Sequence, residues 1–346
     1  MSFTESDLLE IARKALKSYP LEVKEVSLIN NEYNATFKVE VNDGQRYALR
    51  ININSPRTSE NLKAEVSWVN YLHKDGRVNV AKPIASAQGN LFASIRHEDS
   101  ARELHCVLYS WLPGSELDDE PELEHIKALG EAMAQMHIVA KDFQLSADSN
   151  LPSLDHVMWW TEDFLLSEKS VLDEESKDLI SQTLQLIDSH IKALYVGATP
   201  IVIHADLHGG NVLWDVDYLS VFDFDDSGIG LPVQDLATAI YYLDTPEQDA
   251  ALRAGYSAVA PIPEMSERDL EVFLIQRRVI LLNYLYETTN EEHRAMIPEY
   301  LEESLRRIRK FLQLQLRVGD TGIEPVTDTV RKILDTGFVY FPAKDR

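Results

Sequence analysis

Residues 201–226 read IVIHADLHGGNVLWDVDYLSVFDFDD. The apolar triplet Ile201-Val202-Ile203 leads into His204-Ala205-Asp206. Asn211 stands five residues after Asp206, and Asp223 stands twelve after Asn211. Short β-type runs at 212–214 and 219–222 bracket a turn, an arrangement that presents the polar groups of both loops to one cleft. The competing interpretation is a polar turn in which Asp206 or Asn211 starts a helix. His204 serves equally well as hydrogen-bonding support for the loop.

A carboxylate, an amide and a second carboxylate in one cleft are the groups that phosphoryl transfer from ATP demands. One carboxylate accepts the proton of an attacking hydroxyl, and oxygen donors hold Mg²⁺ against the phosphates. His204-Ala205-Asp206 with Asn211 keeps the spacing of the protein-kinase pattern H-R-D-x-x-x-x-N, and Asp223-Phe224 keeps the first two residues of D-F-G. The longer stretch HADLHGGNVLW…VFDFDDSGIGLPVQDLA closely resembles the aminoglycoside phosphotransferase and choline kinase superfamily. Homoserine kinase of the second type, methylthioribose kinase and a bacterial stress-response protein kinase belong to the same broad group. The resemblance implies an ATP- and Mg²⁺-dependent phosphotransferase, with Asp206 as base and Asn211 and Asp223 as metal ligands. It also implies that Asp235 braces the catalytic loop through backbone amides and that His204 and His137 are structural.

The same resemblance directs attention to the first third of the chain. Residues 30–36, NNEYNAT, join two expected strands where a loop over the phosphates belongs, and Asn31 and Asn34 are its candidate contacts. The loop lacks the glycines of a protein kinase. Arg50 occupies the position of the phosphate-binding Lys, keeping the charge but changing the reach. Glu65, in the following helix, resembles the carboxylate that orients this cation; a solvated surface Glu is the alternative. YSWLPG at 109–114 joins the lobes, and its backbone at Ser110 and Leu112 resembles the adenine-binding connection.

Element patterning agrees with a bilobal α+β chain of protein-kinase-like fold. A helix is expected at 4–18, ending before Pro20. Strands follow at 26–29, 36–41 and 47–53, a helix at 59–74, and strands at 91–96 and 104–109. Beyond Pro113-Gly114 the pattern turns helical, at 122–138, 174–195, 235–243, 270–286 and 297–316. These readings divide the chain into a nucleotide-binding lobe at 1–109, a hinge at 110–115 and a helical lobe at 116–346. The tail from 319 shows weaker periodicity.

Composition narrows the partners. With 45% hydrophobic and 26% charged residues the chain is an ordinary globular protein. Its net charge of −24 argues against nucleic acid and anionic membranes; an acidic surface first of all keeps a protein soluble, and it leans only slightly toward a cationic acceptor. Cys106 is the single cysteine, which excludes an internal disulfide. The start MSFTESDLLE has no secretory pattern, and Gln276, Arg277 and Arg278 interrupt the most apolar late stretch, so a cytoplasmic enzyme is expected. The acceptor pocket has the candidates Asp225, Asp226, Trp159, Trp160, Tyr241, Tyr242, Tyr284 and Tyr286. Three activities stay open: a kinase for a small hydroxyl-bearing molecule, a Ser/Thr protein kinase with a protein substrate, and a nucleotide-binding protein without catalysis.

Overall fold

A computed structural model describes residues 3–31, 33–98, 101–117, 121–159 and 161–321. Trp160 and residues 322–346, which include most of the weakly periodic tail, lie outside the described residues, as does Glu32 within the 30–36 loop.

Helix α1 (Glu5–Leu16) begins at a reciprocal cap. The Thr4 hydroxyl accepts from the Asp7 amide at 3.2 Å, and the Thr4 amide donates to the Asp7 carboxylate at 2.9 Å. Strands β1 (Val23–Asn31), β2 (Asn34–Val41) and β3 (Arg46–Asn52) form an antiparallel meander. They are followed by α2 (Ser59–Asp75), the short β4 (Asn79–Val80), β5 (Ala93–His97) and β6 (Arg102–Ser110). The first sheet has the order β1-β2-β3-β6-β5. Strand β2 alternates half-buried and buried residues along its whole length, the period-2 signature of a sheet with one covered face. Phe37 and Val39 from that face, with Leu49, Ile51, Leu104 and Cys106, pack against Leu8, Ile11 and Ala15 of α1. Burial pushes the Cys106 thiol up to about 12, so it is a core residue and no nucleophile.

The second part contains β7 (Ser115–Glu116), α3 (Leu123–Ala140), α4 (Glu174–Tyr195), β8 (Ile201–Ile203), β9 (Val212–Asp215), β10 (Tyr218–Val221) and β11 (Gly228–Gly230). Helices α5 (Pro232–Tyr241), α6 (Pro246–Val259), α7 (Glu267–Glu287), α8 (Glu291–Ala295) and α9 (Ile297–Thr321) complete it. Helix α2 contributes Ala64, Trp68, Val69 and Leu72 to the helical core rather than to the α1 core. The element that carries Glu65 is thereby anchored to the second lobe.

Helix α6 is absent from the sequence expectations. Its glycine explains both the weak signal and the observed packing. A Cβ on Gly255 would lie 1.9 Å from the Lys127 carbonyl oxygen, and one on Gly130 would lie 2.1 Å from that of Leu252. The backbones of α3 and α6 therefore touch, an approach that only glycine permits. The cap Thr245, which accepts from the Gln248 amide at 3.2 Å, with Pro246 as first helical residue, is the signal that marks this helix.

Candidate active site

Strand β8 delivers His204, Ala205 and Asp206 into the cleft. Buried Asp235, from the first turns of α5, holds this segment. Its Oδ2 accepts from the His204 amide at 3.0 Å and its Oδ1 from the Ala205 amide at 2.6 Å. His137 Nε2 adds a contact to Oδ2 at 3.0 Å, while His137 Nδ1 meets the Tyr256 hydroxyl at 2.9 Å. Burial opposes the Asp235 charge, yet the His137 hydrogen bond and the neighbouring imidazoles and amides hold its carboxyl below the usual range. Ala205 has φ of 68°, a left-handed conformation that a side chain disfavours and that the bond to Asp235 secures. The His204 ring lies across the loop. Its Nε2 donates to the Phe222 carbonyl at 3.0 Å and its Nδ1 accepts from the Asp206 amide at 3.3 Å, which defines the tautomer.

The β9–β10 hairpin then brings the two expected metal ligands beside Asp206. Val212 pairs with Val221, and the Phe222 amide donates to the Asn211 carbonyl at 3.1 Å, so Asn211 and Asp223 flank adjacent strands. Asn211 Nδ2 donates to the Asp206 carbonyl at 2.7 Å and to Asp206 Oδ2 at 3.0 Å. Its side-chain Oδ1 accepts no hydrogen bond among the described residues. Asp223 is open to the cleft, with φ of 59°. Protein packed around it, the Asp225 charge and then the Asp206 charge push its carboxyl up, against the pull of Arg50. Asp225 Oδ1 and Asn34 Oδ1 are buried without a hydrogen-bond partner. This concentration of oxygen acceptors fits a hard cation such as Mg²⁺. Among the described residues no three His, Cys, Asp or Glu side chains are grouped so as to hold a metal ion by themselves.

On the sheet side, Arg50 Nη2 bonds both oxygens of Glu65, at 2.6 and 2.8 Å. Both residues are buried, so Glu65 is no surface residue. Burial pushes the Glu65 carboxyl up to about 7 and Arg50 opposes that shift. Burial also disfavours the Arg50 cation, but Glu65 more than compensates. The short two-oxygen contact is that of an ionised pair, and a guanidinium does not surrender its proton in this range. Asn34 opens β2, and its Nδ2 donates to Asp225 Oδ2 at 3.0 Å across the cleft. Asn31 closes β1, exposed, opposite Ala35. Between them, the Tyr33 carbonyl accepts from the amides of Ile53, Asn54 and Ser55 at 3.3, 2.9 and 3.1 Å, which fastens the turn to the end of β3. In the connection, the Ser110 amide already donates to the Lys82 carbonyl at 2.8 Å and the Trp111 amide to the Arg46 carbonyl at 3.3 Å. The amides of Ser110 and Trp111 are therefore engaged within the protein, so Ser110 has none to offer a ligand.

Arg277 and His208, which the sequence did not single out for the site, lie beside the expected acceptor candidates Tyr242 and Asp226, and Glu287, likewise not singled out, meets Tyr33. Arg277, from α7, forms an ion pair with Asp206 Oδ1 through Nη2. Its Nε and Nη2 also donate to the Tyr242 hydroxyl at 3.2 and 2.6 Å. The His208 ring stacks on Tyr242 at 4.2 Å, and His208 Nε2 lies 3.7 Å from Asp206 Oδ1. Tyr33 donates to Glu287 at 2.9 Å. Asp226 has its carboxyl pushed up by burial and by Asp206, with Arg57 and Arg277 pulling the other way. Of the other aromatic candidates, Tyr241 is bound to Tyr300 within the core at 2.8 Å, and Trp159 belongs to a small core with Leu154 and Ile203. The available signal was the triplet Gln276-Arg277-Arg278 in a helix buried on nearly all sides, since buried charges need partners.

A β-rich lobe with a buried cation–carboxylate pair, facing a helical lobe with a braced Asp-x₄-Asn…Asp loop, defines a phosphotransferase of protein-kinase-like architecture. The family profile "Phosphotransferase enzyme family" matches residues 25–269, and the chain belongs to that family. It is thus a kinase in enzyme class. Amicoumacin kinase of Bacillus subtilis (strain 168) is 26% identical over 234 residues, 67% of each chain. Homoserine kinase of Janthinobacterium sp. (strain Marseille) is 28% identical over 183 residues, 52% of this chain and about half, 53%, of the relative. Among solved structures, the amicoumacin kinase hAmiN in complex with AMP-PNP, Ca²⁺ and Ami superposes with a TM-score of 0.73 at 20% identity, covering 88% of this chain and 94% of that one. A microcompartment-associated aminopropanol kinase gives 0.73 at 22% identity, with 88% and 98% coverage. These two likenesses establish the shared fold.

Proposed function

We propose that this protein transfers the γ-phosphoryl group of ATP, with Mg²⁺, to the hydroxyl of a small amine-bearing molecule. The observation that carries this reading is the fixing of Asp206 by Asn211 from one side and by the Asp235-braced backbone from the other. Asp206 accepts the proton of the acceptor hydroxyl as that oxygen attacks. Asn211 Oδ1 and Asp223 would hold the metal. When bound, Mg²⁺ neutralises charge on the phosphates of ATP. Arg50, kept in place by Glu65, meets the phosphates, Asn31 and Asn34 line the loop above them, and Leu112 serves the adenine. The acidic cleft, with Asp225 and Asp226, favours an ammonium group on the acceptor. The relatives named for amicoumacin, homoserine and aminopropanol support an acceptor of this size and polarity. No helix among the described residues is long and apolar enough to cross a membrane, which agrees with a small polar acceptor.

The test is ATP consumption across amino-alcohols, hydroxy amino acids, aminoglycosides and casein, followed by Asp206→Asn on whichever acceptor responds. Turnover should fall at least about a thousandfold while nucleotide still binds. Near-normal turnover in the variant removes Asp206 from its role, and phosphorylation of casein alone replaces the small acceptor with a protein.

A further inference from the structure

Arg277 is the unusual member of the cleft. Helix α7 is buried almost throughout from Leu270 to Asn283, and Arg277 is only 5% exposed. A guanidinium in such a place is costly unless its donors are used. Nε and Nη2 are used, on Tyr242 and Asp206, whereas Nη1 makes no hydrogen bond among the described residues. The Tyr242 ring supports the guanidinium, 5.4 Å from its carbon.

The partner of Nη2 is the proposed base itself. Asp206 Oδ2 accepts from Asn211 and Oδ1 from Arg277. Each oxygen has a second lone pair, but the buried guanidinium fills one of the two approaches to Oδ1 and so crowds the atom toward which an acceptor hydroxyl would come. A planar guanidinium matches a carboxylate through two parallel N–H bonds, a better partner for Arg277 than a single oxygen of Asp206. We infer that the acceptor carries a carboxylate as well as its hydroxyl and amine, and that Arg277 binds that carboxylate, exchanging it for Asp206 Oδ1. This rests on the kinase reading above. The exchange would leave both sides of Oδ1 to the acceptor hydroxyl, so a carboxylate-bearing acceptor would clear its own way to the base. The many carboxylates around Asp223 favour an acceptor whose negative group is balanced by its own ammonium over a doubly charged phosphate ester.

Three pairs of compounds differ by that carboxylate alone: L-serine and ethanolamine, L-threonine and 1-aminopropan-2-ol, L-homoserine and 3-aminopropan-1-ol. The full chain is assayed for kcat/KM with each under Mg²⁺-ATP, and for binding by calorimetry with Mg²⁺ and AMP-PNP. In at least one pair the carboxylate-bearing member should be preferred about a hundredfold, and Arg277→Gln and Arg277→Lys should each reduce that ratio at least about tenfold, mainly through KM. Equal loss for both members overturns the inference, because Arg277 then acts only through Asp206. Preference for the decarboxylated member in every pair, or absence of binding by all six, overturns it from the wild-type protein alone, even if a variant fails to fold. Selective binding of the carboxylate member without transfer supports the inference and counts against the kinase reading; transfer without selectivity does the reverse.

Discussion

Tyr33 and Glu287 join the two lobes: the Tyr33 hydroxyl, from the β1–β2 turn, donates to Glu287 Oε2 at 2.9 Å, at the last residue of α7. Asn34 Nδ2 and Asp225 Oδ2, at 3.0 Å, form a second link beside it. The β1–β2 turn is thus bonded to the helix that carries Arg277.

Tyr33→Phe and Glu287→Gln should each weaken this link, and together should lose less than the sum. A bond to a carboxylate is worth about 1.5–3 kcal/mol, so a coupling near 1 kcal/mol is expected in urea unfolding of the double-mutant cycle. Additive losses would mean that the lobes are held together elsewhere. The KM for ATP should rise in both single variants.

Asp235→Ala removes one carboxylate from two backbone amides and an imidazole, all buried. The loss should be about 3–5 kcal/mol, the range for breaking a buried charged network from one side. Because Ala205 is held at a positive φ, kcat should fall at least about tenfold even where the variant is folded. Calorimetry and steady-state assays on one preparation separate the two effects.

Asp223→Asn should act in opposite directions with and without metal. In EDTA the variant is relieved of repulsion from Asp225 and Asp206. Its unfolding midpoint should rise by about one or two degrees, modestly because the carboxyl is open to solvent. With Mg²⁺ and AMP-PNP, most of the thermal shift seen for the wild-type protein should vanish. A shift of wild-type size would assign the metal to other residues.

Glu271 supplies a pH dependence remote from the cleft. It is buried on α7, where Gln315 donates to its Oε2 at 3.2 Å and its Oε1 has no partner. Burial pushes its carboxyl up to about 7, with Lys310, Gln315 and Arg268 opposing. The folded protein therefore holds this proton more tightly than the unfolded chain. The associated stability is complete below the ordinary Glu value, declines as pH rises from there toward 7, and is gone above it. Glu271→Gln should stabilise the protein by about 1–3 kcal/mol at pH 8 and have little effect at pH 4, measured by urea unfolding.

Much of this site follows from short spacings. Asp206, Asn211 and Asp223 lie within one β-hairpin's reach, and backbone pairing of Val212 with Val221 converts their spacing directly into proximity. Arg50 and Glu65 are separated by one strand-to-helix connection, and it is the family resemblance that points to them as a pair. Helix α6 was obscured by Gly255, a residue that weakens a helical pattern when read alone and is required when α3 lies against it. The connection between the lobes is legible as a segment, but the engagement of the Ser110 amide by Lys82 depends on a chain segment 28 residues earlier.

Local order along the chain was therefore sufficient for the class of fold and for the proximity of Asp206, Asn211 and Asp223, because strands and turns place near neighbours by covalent geometry. Packing between distant elements made the remaining assignments. It brought Arg277 onto Asp206, 71 residues away, and Tyr33 onto Glu287, 254 residues away. Such contacts have no spacing signature: α7 buries most of its surface, and which buried side chain meets Asp206 depends on how that helix docks against α5 and β8.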